Sequence, residues 1–425
     1  MRRSDSKPPA MPRSPSRSMS RTSLALDNLR AIVILIVLAV HSVLAYLGST
    51  PAIGSDFNQP PYDWRSLPIV DSHRFFGFDL FCAWQNIYLM ALLFLLSGLF
   101  VWPSLNRKKG GAFLRDRVVR LGLPYAFGIA VLMPLAIYPA YRVTAADPSV
   151  AAYGHSWLAL PYWPNGPLWF LWQLLALNVL AAGLNFLAPG AIPLLGRWLA
   201  AADKNPARFF GVLLAVSALA YVPLAVVFTP WAWADSGIFG LQFCRPLLYA
   251  VYFFIGIGLG AAGIERGLLA ADGVLVRRWA SLLAAALISL FLWLGLTVLT
   301  MKGFSALMMN GSALSGVEIA ADFSYVLACA AGCFFLIAVC LRFATGYSRI
   351  FAYLAANAYS VYLVHYGFVI WLQFGLLALP LVAVVKAAIV FTGTLFLSLA
   401  TTAAVQRIPL GARLIGAAPR AVAAS

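Results

Sequence analysis

His41 is an imidazole in a run with almost nothing else polar. Of the seventeen residues from Ala31 to Leu47, fifteen are apolar, and the exceptions are His41 and Ser42. Lipid cannot satisfy ring nitrogens, so a histidine in such a run faces the protein interior or a cavity. A neutral imidazole can take a proton from an alcohol and return it, which is general acid–base chemistry. The structural alternative is a ring hydrogen-bonded to a neighbouring helix. Arg30 lies eleven residues earlier, close to three helical turns, so the two side chains share a face about 16 Å apart along the axis. That spacing puts Arg30 at one membrane surface and His41 near mid-bilayer.

Arg117 and Arg120 form a second group, three residues apart on one helix face at the N-terminal end of an apolar run. The planar fork of arginine suits phosphate oxygens, and retention of cations at the cytoplasmic surface is the plainer explanation. Further polar side chains interrupt apolar runs: Gln85, Asn86, Ser97, Gln173, Asn178, Asn357, Tyr359, Tyr362 and His365. Interhelical hydrogen bonding accounts for the amides, and Ser97-Gly98 also suits close helix packing. His365 is a second imidazole in an apolar run, able to orient a substrate or to serve as a core residue.

Side chains so placed need membrane helices to hold them, and the composition supplies these. The chain has 425 residues, 62% hydrophobic and 10% charged, with a mean hydropathy of +0.86; soluble domains are roughly 45–50% apolar. The net charge of +16 is spread between apolar runs rather than gathered in one domain, which argues against nucleic-acid binding. The five cysteines sit in apolar surroundings without nearby histidines, as packed thiols rather than metal ligands or disulfides.

The pattern predicts an all-α integral membrane protein of about ten transmembrane helices. The runs fall near residues 28–47, 78–102, 121–141, 167–188, 208–228, 246–264, 279–300, 319–341, 350–373 and 379–404. With the N-terminus inside, 24 of the 30 Lys and Arg residues fall on the inner side, five fall in outer loops, and Lys386 lies inside the last run. Both termini are therefore expected in the cytoplasm. Residues 1–23 read as a disordered basic tail, 24–406 as the transmembrane domain and 407–425 as a short cytoplasmic tail. The long outer loops at 49–77 and 142–166 carry Trp64, His73, His155, Trp157, Tyr162 and Trp163, as interfacial anchors or a carbohydrate platform. Asp235, Arg245, Glu318 and Asp322 are placed at the external mouth.

Five segments in order resemble the membrane-bound acyltransferase family three, bacterial proteins that acylate envelope glycans and some antibiotics. They are Leu26-Asp27-x-x-Arg30 with His41; Phe94-Leu95-Leu96-Ser97-Gly98; Phe113 to Arg120; Gly166-Pro167-Leu168-Trp169-Phe170-Leu171; and Tyr359-Ser360-Val361-Tyr362-Leu363-Val364-His365. Leu93 stands where the family often has phenylalanine. The look is closest to stand-alone members such as the glucan succinyl-transfer type. The resemblance implies an enzyme of the bacterial inner membrane that moves an acetyl or succinyl group from cytoplasmic acyl-CoA to a hydroxyl of an extracytoplasmic glycan or related acceptor. It implies His41 and Arg30 as catalytic residues, Arg117 and Arg120 at the acyl-CoA phosphates, and Trp169, His365 and Ser97 at the substrate, with no metal and no permanently bound cofactor. His41 acts either as general base or as a covalent acyl carrier. The competing class is a proton-coupled transporter or flippase of a lipid-linked or small anionic solute, with His41 as proton carrier and the arginines as clamps.

Overall fold

The computed structural model describes residues 20–50, 56–60, 62–301, 311–408 and 411, without the side chains of Asp235 and residues 311–313. The helices and strands run in the order α1 (Arg21–Val43), α2 (Gly77–Gly98), α3 (Val101–Lys108), α4 (Gly110–Arg117), α5 (Leu123–Phe127), α6 (Met133–Thr144), α7 (Val150–Leu158), α8 (Trp169–Leu187), α9 (Ala191–Ala200), α10 (Pro206–Phe228), β1 (Trp233–Ser236), β2 (Phe239–Gln242), α11 (Pro246–Ala262), α12 (Val274–Arg277), α13 (Trp279–Thr300), α14 (Gly311–Phe343), α15 (Arg349–Leu376) and α16 (Ala383–Val405). Among the described residues, eight helical stretches are long and apolar enough to cross a membrane. The other two expected runs are helical as well. One is α11, of 17 residues, and the other is α15, whose 28 residues carry a buried polar face of Asn357, Ser360, His365 and Gln373. The chain is an all-α membrane protein.

Three differences from the sequence reading have local causes. First, α1 begins at Arg21 rather than near Asn28, because the Ser20 side chain caps it by accepting from Ser23 N at 3.2 Å and Thr22, Ala25 and Leu26 are buried. An apolarity count misses such a turn; the rest of the expected tail, residues 1–19, lies outside the described residues, as do 409–410 and 412–425. Second, His41 falls in the last turn of α1, since Leu44–Tyr46 tightens into a 3-10 turn. The apolar run continues past the helix that carries it. Third, β1 and β2 form a small antiparallel hairpin around Gly237, which has φ +57°. Trp163 N donates to Gly237 O at 2.9 Å and pins the hairpin to the loop between α7 and α8.

The stretch from Gly110 to Thr144 is a continuous 35-residue span interrupted by π-turns at Val118–Gly122 and Gly128–Leu132. Proline sets its partners. Pro124 has no N–H for the Arg120 carbonyl four residues back, and the Tyr359 hydroxyl donates to that carbonyl at 2.5 Å. Pro139 likewise leaves Leu135, whose carbonyl accepts from the Trp371 indole at 2.9 Å. Both donors lie on α15. Elsewhere glycine permits contact: a Cβ at Gly98 would stand 2.2 Å from Phe253 O, and one at Gly256 would stand 2.1 Å from Leu95 O. Thus α2 and α11 touch backbone to backbone, the small-residue packing of membrane helices.

The loop between α1 and α2 is fastened by a buried ion pair. Lys386 Nζ on α16 lies 2.6 Å from Asp71 Oδ2, with side chains 0% and 1% exposed. Asp71 N also donates to Ala45 O just beyond α1 at 2.9 Å, and the Asp71 carboxylate accepts from His73 N at 2.8 Å. Burial raises the Asp71 pKa, but the hydrogen bonds from Lys386 and His73 outweigh it and hold the carboxyl below its usual value. The stabilisation is therefore complete above the ordinary carboxylate range near pH ~4 and is lost as pH falls through the depressed folded value. Lys386→Met leaves the carboxylate buried without its ammonium partner, and is expected to cost about 3–5 kcal/mol. Pairing it with Asp71→Asn should recover most of that loss, read as the thermal unfolding midpoint in detergent; a double variant no better than the single one would contradict the pairing.

Candidate active site

One face of α1 presents Arg30, Val33, Ile34, Val37 and His41 in turn. The first four line a chamber of about 480 Å³ together with Ser97, Arg117, Arg120, Asn178, Tyr359 and Tyr362, among others. Four of the segments singled out in the sequence thus meet α1 around one space, the fourth through Phe170. The Arg30 guanidinium pairs with Asp27 at 2.9 Å and lies 4.2 Å over the Phe100 ring; Arg117 lies 4.8 Å over Phe113. Neither Arg117 nor Arg120 has a carboxylate partner among the described residues, because Asp116 pairs with Lys108 instead. Arg120 sits in a π-turn, a local widening often found at functional sites. Three convergent guanidiniums, two of them without a neutralising acid, make a site for an anion.

Along α1 the lining of this chamber extends as far as Val37, one turn short of His41. The two are connected by a hydrogen bond, His41 Nδ1 to Val37 O at 2.8 Å. A carbonyl only accepts, so Nδ1 carries the proton and Nε2 holds the lone pair. His365, fully buried, is fixed in the same way by Nδ1 to Tyr362 O at 2.6 Å. Its Nε2 stands 3.4 Å from His41 Nδ1, with ring centroids 5.0 Å apart. The basic nitrogen of His365 therefore faces the protonated nitrogen of His41, and among the described residues His41 Nε2 has no hydrogen-bond partner. The edge of Tyr366 packs on His41 with centroids 5.5 Å apart.

Gln373 completes the arrangement. Its Nε2 donates to the carbonyls of His41 at 2.9 Å and Ser42 at 3.3 Å, groups that the end of α1 leaves without intrahelical donors. Toward the other end of α1, Asn28 donates to Ala344 O at 2.7 Å and Gly346 O at 3.0 Å, so α1 is tied to both ends of the segment containing α15.

Trp169 does not reach the chamber. It stacks on Tyr249 with centroids 5.7 Å apart, and its neighbour Phe170 is the lining residue. Ser97 lines the chamber while Gly98 packs against α11. Gln373, Tyr366 and the Asp71–Lys386 pair escaped the sequence reading. A lone glutamine and a lone lysine in apolar runs were the available signals, but their partners lie more than 300 residues away. No group of three or more His, Cys, Asp or Glu residues suited to a metal occurs among the described residues.

A polytopic helical bundle whose cationic chamber ends one turn from a tautomer-fixed histidine has the groups for anion binding and for proton transfer within a membrane protein. The chain belongs to acyltransferase family 3: the model of that family's acyltransferase domain matches residues 23–403. The protein is an acyltransferase. No curated protein and no solved structure matches it.

The Gly166-Pro167 turn that holds α8 against α15 needs its glycine. Gly166 has φ +44°, and a Cβ there would stand 2.9 Å from the Tyr366 ring and 2.8 Å from Met133 Cε. Gly166→Ala is expected to lose roughly 1–2 kcal/mol from the left-handed backbone and to depress turnover by displacing the ring against His41. Unchanged turnover and melting temperature would show that the turn has slack.

Proposed function

We propose that the protein transfers an acetyl or succinyl group from cytoplasmic acyl-CoA to a hydroxyl of an extracytoplasmic glycan or related acceptor, across the bacterial inner membrane with both termini inside. The observation that carries this reading is the single α1 face. At one end it offers Arg30 beside Arg117 and Arg120, and about 16 Å further along the axis it offers His41 with a fixed free Nε2.

The three guanidiniums hold the phosphates of the nucleotide, and the pantetheine arm runs along Val33, Ile34 and Val37 toward the histidine. The acceptor comes from the opposite side, where the chain after α1 turns at the outer loop. His41 Nε2 takes the acceptor proton as its oxygen attacks the thioester carbonyl. The new C–O ester bond forms, the C–S bond breaks, and the thiolate leaves with the proton returned from the imidazolium. Charge on His41 during this step is met by the Val37 carbonyl and the His365 lone pair. Trp169 acts at one remove, through the aromatic stack behind Phe170.

Purified protein in nanodiscs, given radiolabelled acetyl-CoA or succinyl-CoA and envelope glycan, tests the reading. His41→Ala is expected to lower transfer by about 10²–10⁴-fold, the usual worth of a general base, with expression and melting temperature retained; undiminished transfer would remove His41 as the base. Arg117→Ala and Arg120→Ala should each raise the KM for acyl-CoA by about tenfold or more, the equivalent of a charge-assisted hydrogen bond. Acyl-dephospho-CoA should show a smaller penalty if these residues hold the 3′-phosphate, and an equal penalty would move them to the diphosphate.

A further inference from the structure

A second chamber of about 450 Å³ lies away from the histidines, where α10 and α13 end and α14 begins. Its charged residues are Arg245, Glu318 and Asp322, and its aromatic walls include Trp231, Trp293 and Tyr325. Asp322 is 5% exposed, and among the described residues it has no ion-pair partner and accepts no hydrogen bond. Arg245 is 4% exposed. It donates from Nη1 to Asn86 Oδ1 at 2.9 Å and lies 5.4 Å over Tyr325, yet its Nε has no partner. Asp322 and Arg245 thus line one space without bonding each other. Each left unmet is costly.

The chemistry selects the ligand. A cation would meet Arg245 of like charge, and an anion would meet Asp322 and Glu318, which stand one turn apart on α14. A neutral polyol satisfies all three, with O–H donors for the carboxylates and an oxygen lone pair for the Arg245 guanidinium. The C–H face of a pyranose ring fits against Trp231, which is exposed, and Trp293, which is buried. We propose that this chamber binds a neutral sugar residue of the acceptor, apart from the residue that is acylated. This deepens the transfer reading above and rests on it for the source of the sugar.

The test is a saturation-transfer NMR titration of the full-length protein in nanodiscs with glucose and N-acetylglucosamine, and with choline and inorganic phosphate as charged probes. A sugar should bind, and Asp322→Leu and Trp231→Ala should each weaken it about tenfold or more. The second of these replaces an exposed side chain, so it reports even if the first fails to fold. Binding that persists in His41→Ala, where transfer is lost, supports a site separate from the reacting centre. Binding of choline or phosphate but of neither sugar overturns the proposal, as does sugar binding that both chamber variants leave unchanged. Wild-type acyl transfer without binding of either sugar overturns the chamber assignment and leaves the transfer reading standing.

Discussion

A ring nitrogen hydrogen-bonded to a carbonyl must carry the proton, and this constraint organises the centre of the protein. Val37 O fixes His41, and Tyr362 O fixes His365. The two rings then meet with a lone pair facing an N–H, and among the described residues the remaining nitrogen of His41 has no partner. Such an arrangement holds only if α1 and α15 keep their relative height and rotation. Asn28 near one end of α1 and Gln373 near the other supply that restraint by donating to backbone carbonyls. These carbonyls lie at or beyond helix ends, where no intrahelical donor reaches them, so the contacts that satisfy them also set the register.

Backbone groups released by proline do the same work on the arginine side. The 110–144 span loses intrahelical donors at Pro124 and Pro139, and α15 replaces them with the Tyr359 hydroxyl and the Trp371 indole. Arg120, whose own carbonyl accepts from Tyr359, is thereby referred to the helix that carries His365. The arginine end and the imidazole end are therefore positioned by α1 and α15 together. The chamber between them has fixed length because helices set it.

Outside the bundle, a long loop must be kept from drifting over the end of α1. The Asp71–Lys386 pair binds this loop to the last helix, and the Asp71 amide binds it to Ala45. A lysine in an apolar helix is a liability alone. Here it defines where one loop lands, at the rim nearest His41, and this is specificity obtained by burying opposite charges together.

The sequence alone determined the class of the fold, because apolar length and loop charge are properties of contiguous residues. It also determined that Arg30 and His41 share a face, since the helical period makes that a matter of counting. The five family segments, from Arg30 to His365, were readable for the same reason. Which of their side chains meet was settled only by tertiary structure. Ser97 and Phe170 reach the chamber while Trp169 turns to Tyr249; the tautomer of His41 depends on a carbonyl one turn away; and Lys386 finds Asp71 across 315 residues. Those outcomes depend on how helices rotate and cross, and a rotation of one helix changes which of its residues face inward without changing its periodic pattern.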